Sequence, residues 1–203
     1  MAETYQRQGA LAALGLEARV TTDPIAAGVL LSERTGLDQI NLRGDAAQMV
    51  FLQGARNALG YALSTEANAV SEGTSSRTLW LGPNEWLVVV PLNESAGLAG
   101  ALRGVLGSQH AGVAEVGDGR TIIGLAGRNA RDVIMKGCPL DLHPRHFGPM
   151  RCAQSRLAKV NVIIDQRDDQ PSYDIHVARS FARYLWPWLE DAGREYGVAV
   201  VRS

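Results

Sequence analysis

The segment LWLGPNEWLVVVP, from Leu79 to Pro91, decides how the chain can fold. Two short apolar runs flank Gly-Pro-Asn, and Pro83 fixes the backbone angle that the second position of a turn requires. We therefore predict a β-hairpin. Both faces of its second strand are apolar: Trp86, Val88 and Val90 point to one side, and Leu87 and Val89 to the other. Such a strand must be covered on both faces, and we expect other chains to supply part of the cover.

A short pattern recurs on either side of this hairpin. INLRGDAA, Ile40 to Ala47, and IGLAGRNA, Ile123 to Ala130, both read Ile-x-Leu-x-Gly-x-x-Ala and both run from a predicted strand into a predicted helix. The surrounding segments repeat one element order. We predict an α+β fold with two pseudo-repeated strand-helix-strand-strand-helix units in one compact domain. Residues 1–36 form an N-terminal arm and first strand, 37–110 the first half and 111–203 the second.

Local signals refine these predictions. AGVAEVGDGRTIIGLAG is predicted to be a second hairpin that turns at Gly117-Asp118-Gly119. We expect the first helix to be capped by Asp45 and closed by Gly60. In the last helix Trp186 lies off the apolar stripe, and Pro187 is expected to kink or restart the helix. The residues of that stripe are Phe181, Leu185, Trp188, Leu189 and Ala192.

Composition excludes several classes of protein. Of the 203 residues 46% are hydrophobic and 20% charged, which is typical of a soluble globular chain. The formal net charge of −1 gives no electrostatic reason for binding nucleic acid or an anionic membrane. The apolar runs are too short to span a bilayer, and the N-terminus does not resemble a signal peptide. Two cysteines favour free thiols, so we expect a cytoplasmic protein.

Motifs for chemistry are scarce. The chain contains no Gly-x-Gly-x-x-Gly after a strand, no phosphate loop and no Gly-x-Ser-x-Gly elbow, so we assign no catalytic and no cofactor-binding residue. Four aspartates surround a polar loop and are interpreted as solvated turn residues: Asp165, Asp168, Asp169 and Asp174. Asp141 is expected to brace its Pro-flanked loop.

The segment CPLDLHPRHFGPMRC raises two alternatives. Cys138, His143, His146 and Cys152 are residue types that bind zinc, but their spacing matches no familiar zinc motif. The other interpretation is a small apolar cysteine after a helix and histidines that hydrogen-bond within a loop. We assign no metal site and keep a zinc module as a rival hypothesis.

Protein–protein contact is a further hypothesis for a few exposed positions. Tryptophan is enriched at interfaces, and Trp186 lies off its helix's apolar stripe. We take Trp186 as a candidate for contact with a partner chain. The other interface candidates come from the Pro-flanked loop: His143, Arg145 and His146.

Three segments of the sequence together resemble one known protein family. LWLGPNEWLVV, GCPLDLHPRHF and SYDIHVARSFARYLWPWLEDAGREYG resemble the gamma subunit of bacterial heterotetrameric sarcosine oxidase, over roughly Ile40 to Gly197. That family is similar in fold to the folate-binding domain of the glycine-cleavage aminomethyltransferase, which is built from duplicated α+β units. The resemblance thus implies the same fold as the internal repeat.

The resemblance also implies a function. The complex oxidatively demethylates sarcosine to glycine with oxygen, yields formaldehyde or methylenetetrahydrofolate, and releases hydrogen peroxide. Alpha and beta subunits carry NAD, FAD, FMN and the tetrahydrofolate site, and a delta subunit carries zinc. We therefore expect a non-catalytic structural subunit that binds no cofactor itself and has the alpha, beta and delta subunits as partners. The alternative is a stand-alone folate-binding one-carbon enzyme, although the acidic folate-binding residue of the aminomethyltransferases matches no position here.

Overall fold

The computed structural model describes residues 8–107 and 109–202. Residues 1–7 of the predicted N-terminal arm lie outside these ranges. The strands found within them are Val29–Glu33 (β1), Leu37–Arg43 (β2), Val70–Glu72 (β3), Arg77–Gly82 (β4), Glu85–Pro91 (β5), Gly112–Glu115 (β6), Arg120–Ala126 (β7), Cys152–Leu157 (β8), Val160–Gln166 (β9), Tyr173–Ala178 (β10) and Val198–Val200 (β11). The α-helices are Met49–Leu59 (α1), Ser95–Leu106 (α2), Ala130–Met135 (α3) and Arg179–Gly193 (α4).

These strands form two sheets, in which the spatial order of the strands differs from their order in the sequence. The five-stranded sheet has the order β3-β4-β5-β2-β6, and the six-stranded sheet has the order β11-β1-β7-β10-β9-β8. Neighbouring strands run antiparallel except β1 and β11, which are parallel. The predicted hairpin is confirmed as β4 and β5, with Trp80 opposite Trp86 beside the turn.

The internal repeat is confirmed by the topology. The series β2-α1-β3-β4-β5-α2-β6 builds the first sheet, and β7-α3-β8-β9-β10-α4-β11 follows the same order in the second. The difference is β1, which lies between β7 and β11. The α+β fold of two pseudo-repeated units is therefore correct. The boundaries at 36/37 and 110/111 stay predictions, and strand pairing places β6 with the first sheet.

The predicted second hairpin is wrong. β6 pairs with β2 in the five-stranded sheet, whereas β7 pairs with β1 and β10 in the other sheet. Gly117–Gly119 forms a single 3-10 turn between them. The apolar pattern located both strands correctly but carried no information about their partners. β7 forms a ladder of six residue pairs with β10. β6 has only four residues, so a hairpin with β6 could not provide β7 with a ladder of that length.

Four layers result from the packing. Helices α1 and α2 cover one face of the five-stranded sheet through Trp86, Val88 and Val90. Leu87 and Val89, on the opposite face of β5, pack with side chains of the six-stranded sheet, namely Ile122, Cys152 and Ile163. Helices α3 and α4 cover the far face of that second sheet. The prediction that both faces of the hairpin are covered is confirmed, but this chain supplies the cover, so the expectation that other chains do so is wrong.

An ion pair connects the two sheets. Arg77 of β4 donates from Nε to Oδ2 of Asp165 on β9 at 2.7 Å and from Nη2 to Oδ1 at 2.8 Å. The same Nη2 donates to the carbonyl of Gln166 at 3.1 Å. Burial tends to lower the pKa of Arg77, but the carboxylates of Asp165 and Glu72 outweigh it and raise that pKa. Because both partners of this bidentate pair are buried, the pair fixes the sheets in one register.

The glycines of the repeated pattern sit at equivalent corners. Gly44 follows β2, and a methyl group there would come within 2.1 Å of the Phe51 ring. Gly127 follows β7 with φ of 104°, and a methyl group there would lie 2.5 Å from the carbonyl oxygen of Gly28. Because glycine has no side chain, the chain can leave β2 in close contact with Phe51 and leave β7 in close contact with Gly28.

The ends of α1 match the sequence signals only in part. Gly60 has φ of 83° and donates its N–H to Arg56, so the predicted C-terminal closure is confirmed. The helix begins at Met49, later than expected. Asp45 instead accepts the N–H of Ala47 at 2.9 Å in a turn ahead of the helix, so its assignment as the cap is wrong.

We predict that Gly127→Ala destabilises the fold because alanine is strained at this φ and meets a backbone oxygen. The backbone strain alone costs about 1–3 kcal/mol. Gly100→Ala is the matched control, since Gly100 is exposed within α2 and a methyl group there would have no neighbour within 4 Å. This control is expected to gain about 0.5–1 kcal/mol. Urea denaturation measures both changes. Equal effects of the two substitutions would contradict this explanation of the corner.

We further predict that Arg77→Met lowers the free energy of unfolding by about 3–5 kcal/mol, because Asp165 is then buried without its partner. The double variant Arg77→Met with Asp165→Leu is expected to recover much of this loss, since neither charge remains. Urea denaturation of the two single variants and the double variant gives the coupling energy. Additive losses would show that the pair does not join the sheets.

Candidate functional site

The three loop residues predicted to contact a partner lie together at the surface. His143, Arg145 and His146 are exposed in the segment between α3 and β8. The rings of the two histidines have centroids 6.4 Å apart. Their role as interface residues stays a prediction, but the structure leaves all three side chains accessible.

This loop is held in place by its own residues. Oδ1 of Asp141 accepts the N–H of His143 at 2.9 Å, and Nδ1 of His143 accepts the N–H of Arg145 at 3.2 Å. Leu142 and Phe147 are buried in the core beneath. The prediction that Asp141 braces the loop is confirmed. The exposed side chains are thus presented on a fixed backbone, which lowers the entropy lost on binding.

Trp186, the other interface candidate, is not at the surface. Its side chain is 0% exposed and packs in the core with Leu185 and Leu189. The prediction of an exposed tryptophan is wrong because the covered face of α4 is wider than the stripe read from the sequence. Phe181, a member of that stripe, is 50% exposed instead. Helix α4 continues through Pro187 without restarting.

The four proposed zinc ligands are not brought together. Cys138 lies in the core beneath α3 and α4, and its thiol is 3.4 Å from Oγ of Ser155. Cys152 lies between the sheets, on the other face, with its thiol 3.4 Å from the carbonyl oxygen of Trp80. Among the described residues, no three histidine, cysteine or acidic side chains are grouped as metal ligands. The second interpretation of the segment fits this geometry.

The thiol of Cys152 is also unsuited to nucleophilic attack. The pKa of the Cys152 thiol is raised to about 12, mainly by burial and also by the negative charge of the nearby Asp165. A thiol with this pKa is protonated at neutral pH, and only the thiolate is a good nucleophile. Cys152 is therefore a packing residue of the layer between the sheets.

The aspartates divide between the loop and the interior. Asp168 and Asp169 are exposed, as predicted for turn residues. Asp165 and Asp174 are buried, so their assignment as solvated is wrong. They lie opposite each other on β9 and β10 and point between the sheets, where alternation along both strands directs them.

Arginines satisfy both buried carboxylates. Arg34 donates from Nε to Oδ1 of Asp174 at 3.0 Å, and Arg167 lies 3.6 Å from an oxygen of each aspartate. Together with Arg77 they place three guanidinium groups around the two aspartates, and Glu72 beside Arg77 is a third carboxylate. Removing one partner from such a buried pair leaves an uncompensated charge, so the arginines and the aspartates depend on one another.

His176 extends the same polar layer. Its Nδ1 lies 3.2 Å from Oε1 of Gln39 on the facing sheet, so Nδ1 carries the proton in this contact. Burial lowers the pKa of His176 to about 4, and the imidazole is neutral at physiological pH. His176 was not predicted from the sequence as a site residue. Polar and apolar residues alternate along β10, and this alternation would have placed Asp174 and His176 on one face.

No α-helix in residues 8–107 and 109–202 has the length and apolar character needed to cross a bilayer.

Comparison with known proteins identifies relatives over most of the chain. A family model described as "Sarcosine oxidase, gamma subunit family" matches residues 43–195. The sarcosine oxidase subunit gamma of Arthrobacter sp is 36% identical over 147 residues, which is 71% of this chain and 70% of the relative. That of Corynebacterium sp. (strain U-96) is 34% identical over 145 residues, 71% of this chain and 69% of the relative.

Solved structures give the same result. A chain of the heterotetrameric sarcosine oxidase from Corynebacterium sp. U-96 in complex with pyrrole 2-carboxylate superposes with a TM-score of 0.84 at 30% identity, covering 95% of this chain and 97% of that one. The glycine cleavage system aminomethyltransferase T from Bartonella henselae has a TM-score of 0.69 at 15% identity, with 95% and 58% covered, and so shares the fold. The chain belongs to the sarcosine oxidase gamma subunit family.

Proposed function

We propose that this chain is a structural subunit of a heterotetrameric sarcosine oxidase and that it holds partner subunits in place without contributing catalytic groups. The observation that carries the proposal is the superposition on a chain of the Corynebacterium enzyme over 95% of this chain and 97% of that one. Coverage of nearly all of both chains supports a corresponding place for this chain in such a complex.

The distribution of reactive side chains supports a structural role. Asp165, Asp174 and His176 are buried between the sheets and hold partners within the chain. Side chains in such contacts contribute to the position of the two sheets. The chemistry of sarcosine oxidation, with FAD, FMN, NAD, tetrahydrofolate and zinc, then belongs to the alpha, beta and delta partners. Two free cysteines support a reducing compartment, and we place the complex in the cytoplasm.

The loop with His143, Arg145 and His146 is the docking element in this proposal. Arginine is enriched at interfaces, and this loop presents one on a braced backbone. The stand-alone folate-binding enzyme has less support, since a likeness to aminomethyltransferase T at 15% identity concerns the fold alone.

We predict that the triple variant His143→Ala, Arg145→Ala and His146→Ala binds its partners more weakly. When the tagged variant is purified from co-expressing cells, the amount of co-purified partner subunits is expected to fall by about tenfold or more. A matched control replaces three exposed polar residues of α1 on the opposite helix layer, Gln53, Arg56 and Asn57, by alanine.

The control is expected to retain partners as the unmodified chain does. Circular dichroism at increasing temperature checks that both variants are folded. Full retention by the loop variant would exclude the loop as a docking element, and an unmodified chain that purifies alone from these cells would refute the subunit role itself.

A further inference from the structure

A row of polar side chains crosses four strands of the six-stranded sheet at one end. The ladders place Arg156 of β8 opposite Asn161 of β9, and Arg120 of β7 opposite Ala178 of β10. These four residues line one open cavity of about 680 Å³. The small side chain of Ala178 leaves the space between the longer ones unfilled.

This end of the six-stranded sheet extends past the edge of the five-stranded sheet that it faces. Gln154 donates to the carbonyl of Leu81 on the five-stranded sheet at 2.7 Å, which is a contact between the two sheets. Arg156 is two residues further along β8 and lies on the same face, since alternate residues of a strand share a face. The residues that line the cavity all come from the six-stranded sheet and the turn before β7. The cavity is therefore the part of the inner face that the five-stranded sheet leaves uncovered.

The charge of this cavity is one-sided. An adjoining cavity of about 410 Å³ shares Arg156, Asn161 and Ala178 and adds Lys159 and Phe181, so the two form one groove. Within residues 8–107 and 109–202, Arg156 and Lys159 make no hydrogen bond or ion pair, whereas Arg120 has an electrostatic attraction to Glu85. The residues that line the two cavities include no aspartate or glutamate. A chain with a net charge of −1 thus concentrates three cations in one concave surface, and two of them, Arg156 and Lys159, have no partner among the described residues.

We propose that this groove binds an acidic segment of a partner subunit. Three cations in a concavity are complementary to carboxylates, and charge complementarity guides association and register at protein interfaces. Two adjoining cavities favour an extended segment over a single small anion. Phe181, which is 50% exposed at one end, supplies an apolar contact beside the charges. The identity of the occupant as a partner segment rests on the proposed function, whereas the preference of the groove for carboxylates does not.

The test measures binding of a fluorescein-labelled hexaglutamate peptide to the full chain by fluorescence anisotropy. We expect the double variant Arg120→Glu and Arg156→Glu to bind at least about tenfold more weakly than the unmodified chain. Binding to the unmodified chain is expected to weaken as salt rises from about 0.02 M to about 0.5 M, since exposed charges are screened.

The matched control is Arg128→Glu. Arg128 is also exposed and follows the opposite end of β7, so it reverses a charge outside the groove and is expected to leave peptide binding unchanged. Arg128 and Arg156 are exposed and Arg120 is half-buried, and thermal unfolding verifies that the variants fold. Equal binding by the unmodified chain and the double variant, or no binding by either, would overturn the proposal. So would displacement of the peptide by inorganic phosphate at equimolar concentration, because a small anion site would then be present.

The same variants, assembled with the other subunits, separate this inference from the proposed function. Loss of partners in the Arg120→Glu and Arg156→Glu variant, with retention by Arg128→Glu, supports the groove as part of the interface. Assembly of the double variant at unmodified affinity overturns the inference while the subunit role stands. A chain that binds hexaglutamate through the groove but assembles with no partner overturns the subunit role and with it the partner segment.

Discussion

Exclusion of water from both faces of β5 is the constraint on which the remaining structure depends. Each buried aliphatic side chain contributes about 1.5–3 kcal/mol when it leaves water, and β5 has such side chains on both faces. One face requires the two helices of the first unit, and the other requires the sheet of the second unit. Neither half can bury all of its own apolar surface without the other. The duplicated units are therefore halves of one cooperative domain.

Polar groups then determine how the two sheets meet. Apolar contacts between flat sheets are tolerant of small shifts, whereas a bidentate ion pair is not. Arg77 with Asp165 and His176 with Gln39 each connect one sheet to the other and require one relative position. A layer that contains these contacts stabilises a single alignment. It also explains why acidic and basic side chains occur in the interior of this chain.

Much of this fold could be predicted from the sequence, and the failures have physical causes. Strand and helix positions follow from periodicity, and the repeated glycine pattern disclosed the duplication because each corner needs a residue without a side chain. Strand partners could not be predicted, since the turn at Gly117–Gly119 connects two sheets as readily as it would close a hairpin. Trp186 was misplaced because the width of a helix's buried face depends on how many elements pack against it.

The surface groups were predictable only in part. Exposure of His143, Arg145 and His146 follows from their place in a Pro-rich polar loop. The groove of Arg120 and Arg156 was not apparent, because these residues are 36 positions apart in number and only the ladders of four strands bring them to one face. Sites built by sheet register are not encoded in local spacing.

The proposed structural role predicts an effect on how much complex forms and no effect on the turnover of each assembled complex. The most direct measurement is sarcosine turnover per assembled heterotetramer, with the amount of complex determined by native mass spectrometry, for a chain carrying His143→Gln, His146→Gln and Cys138→Ala. We predict an unchanged turnover per complex. A loss of two or more orders of magnitude in fully assembled complex would show that this chain supplies a catalytic group, and it would contradict the account.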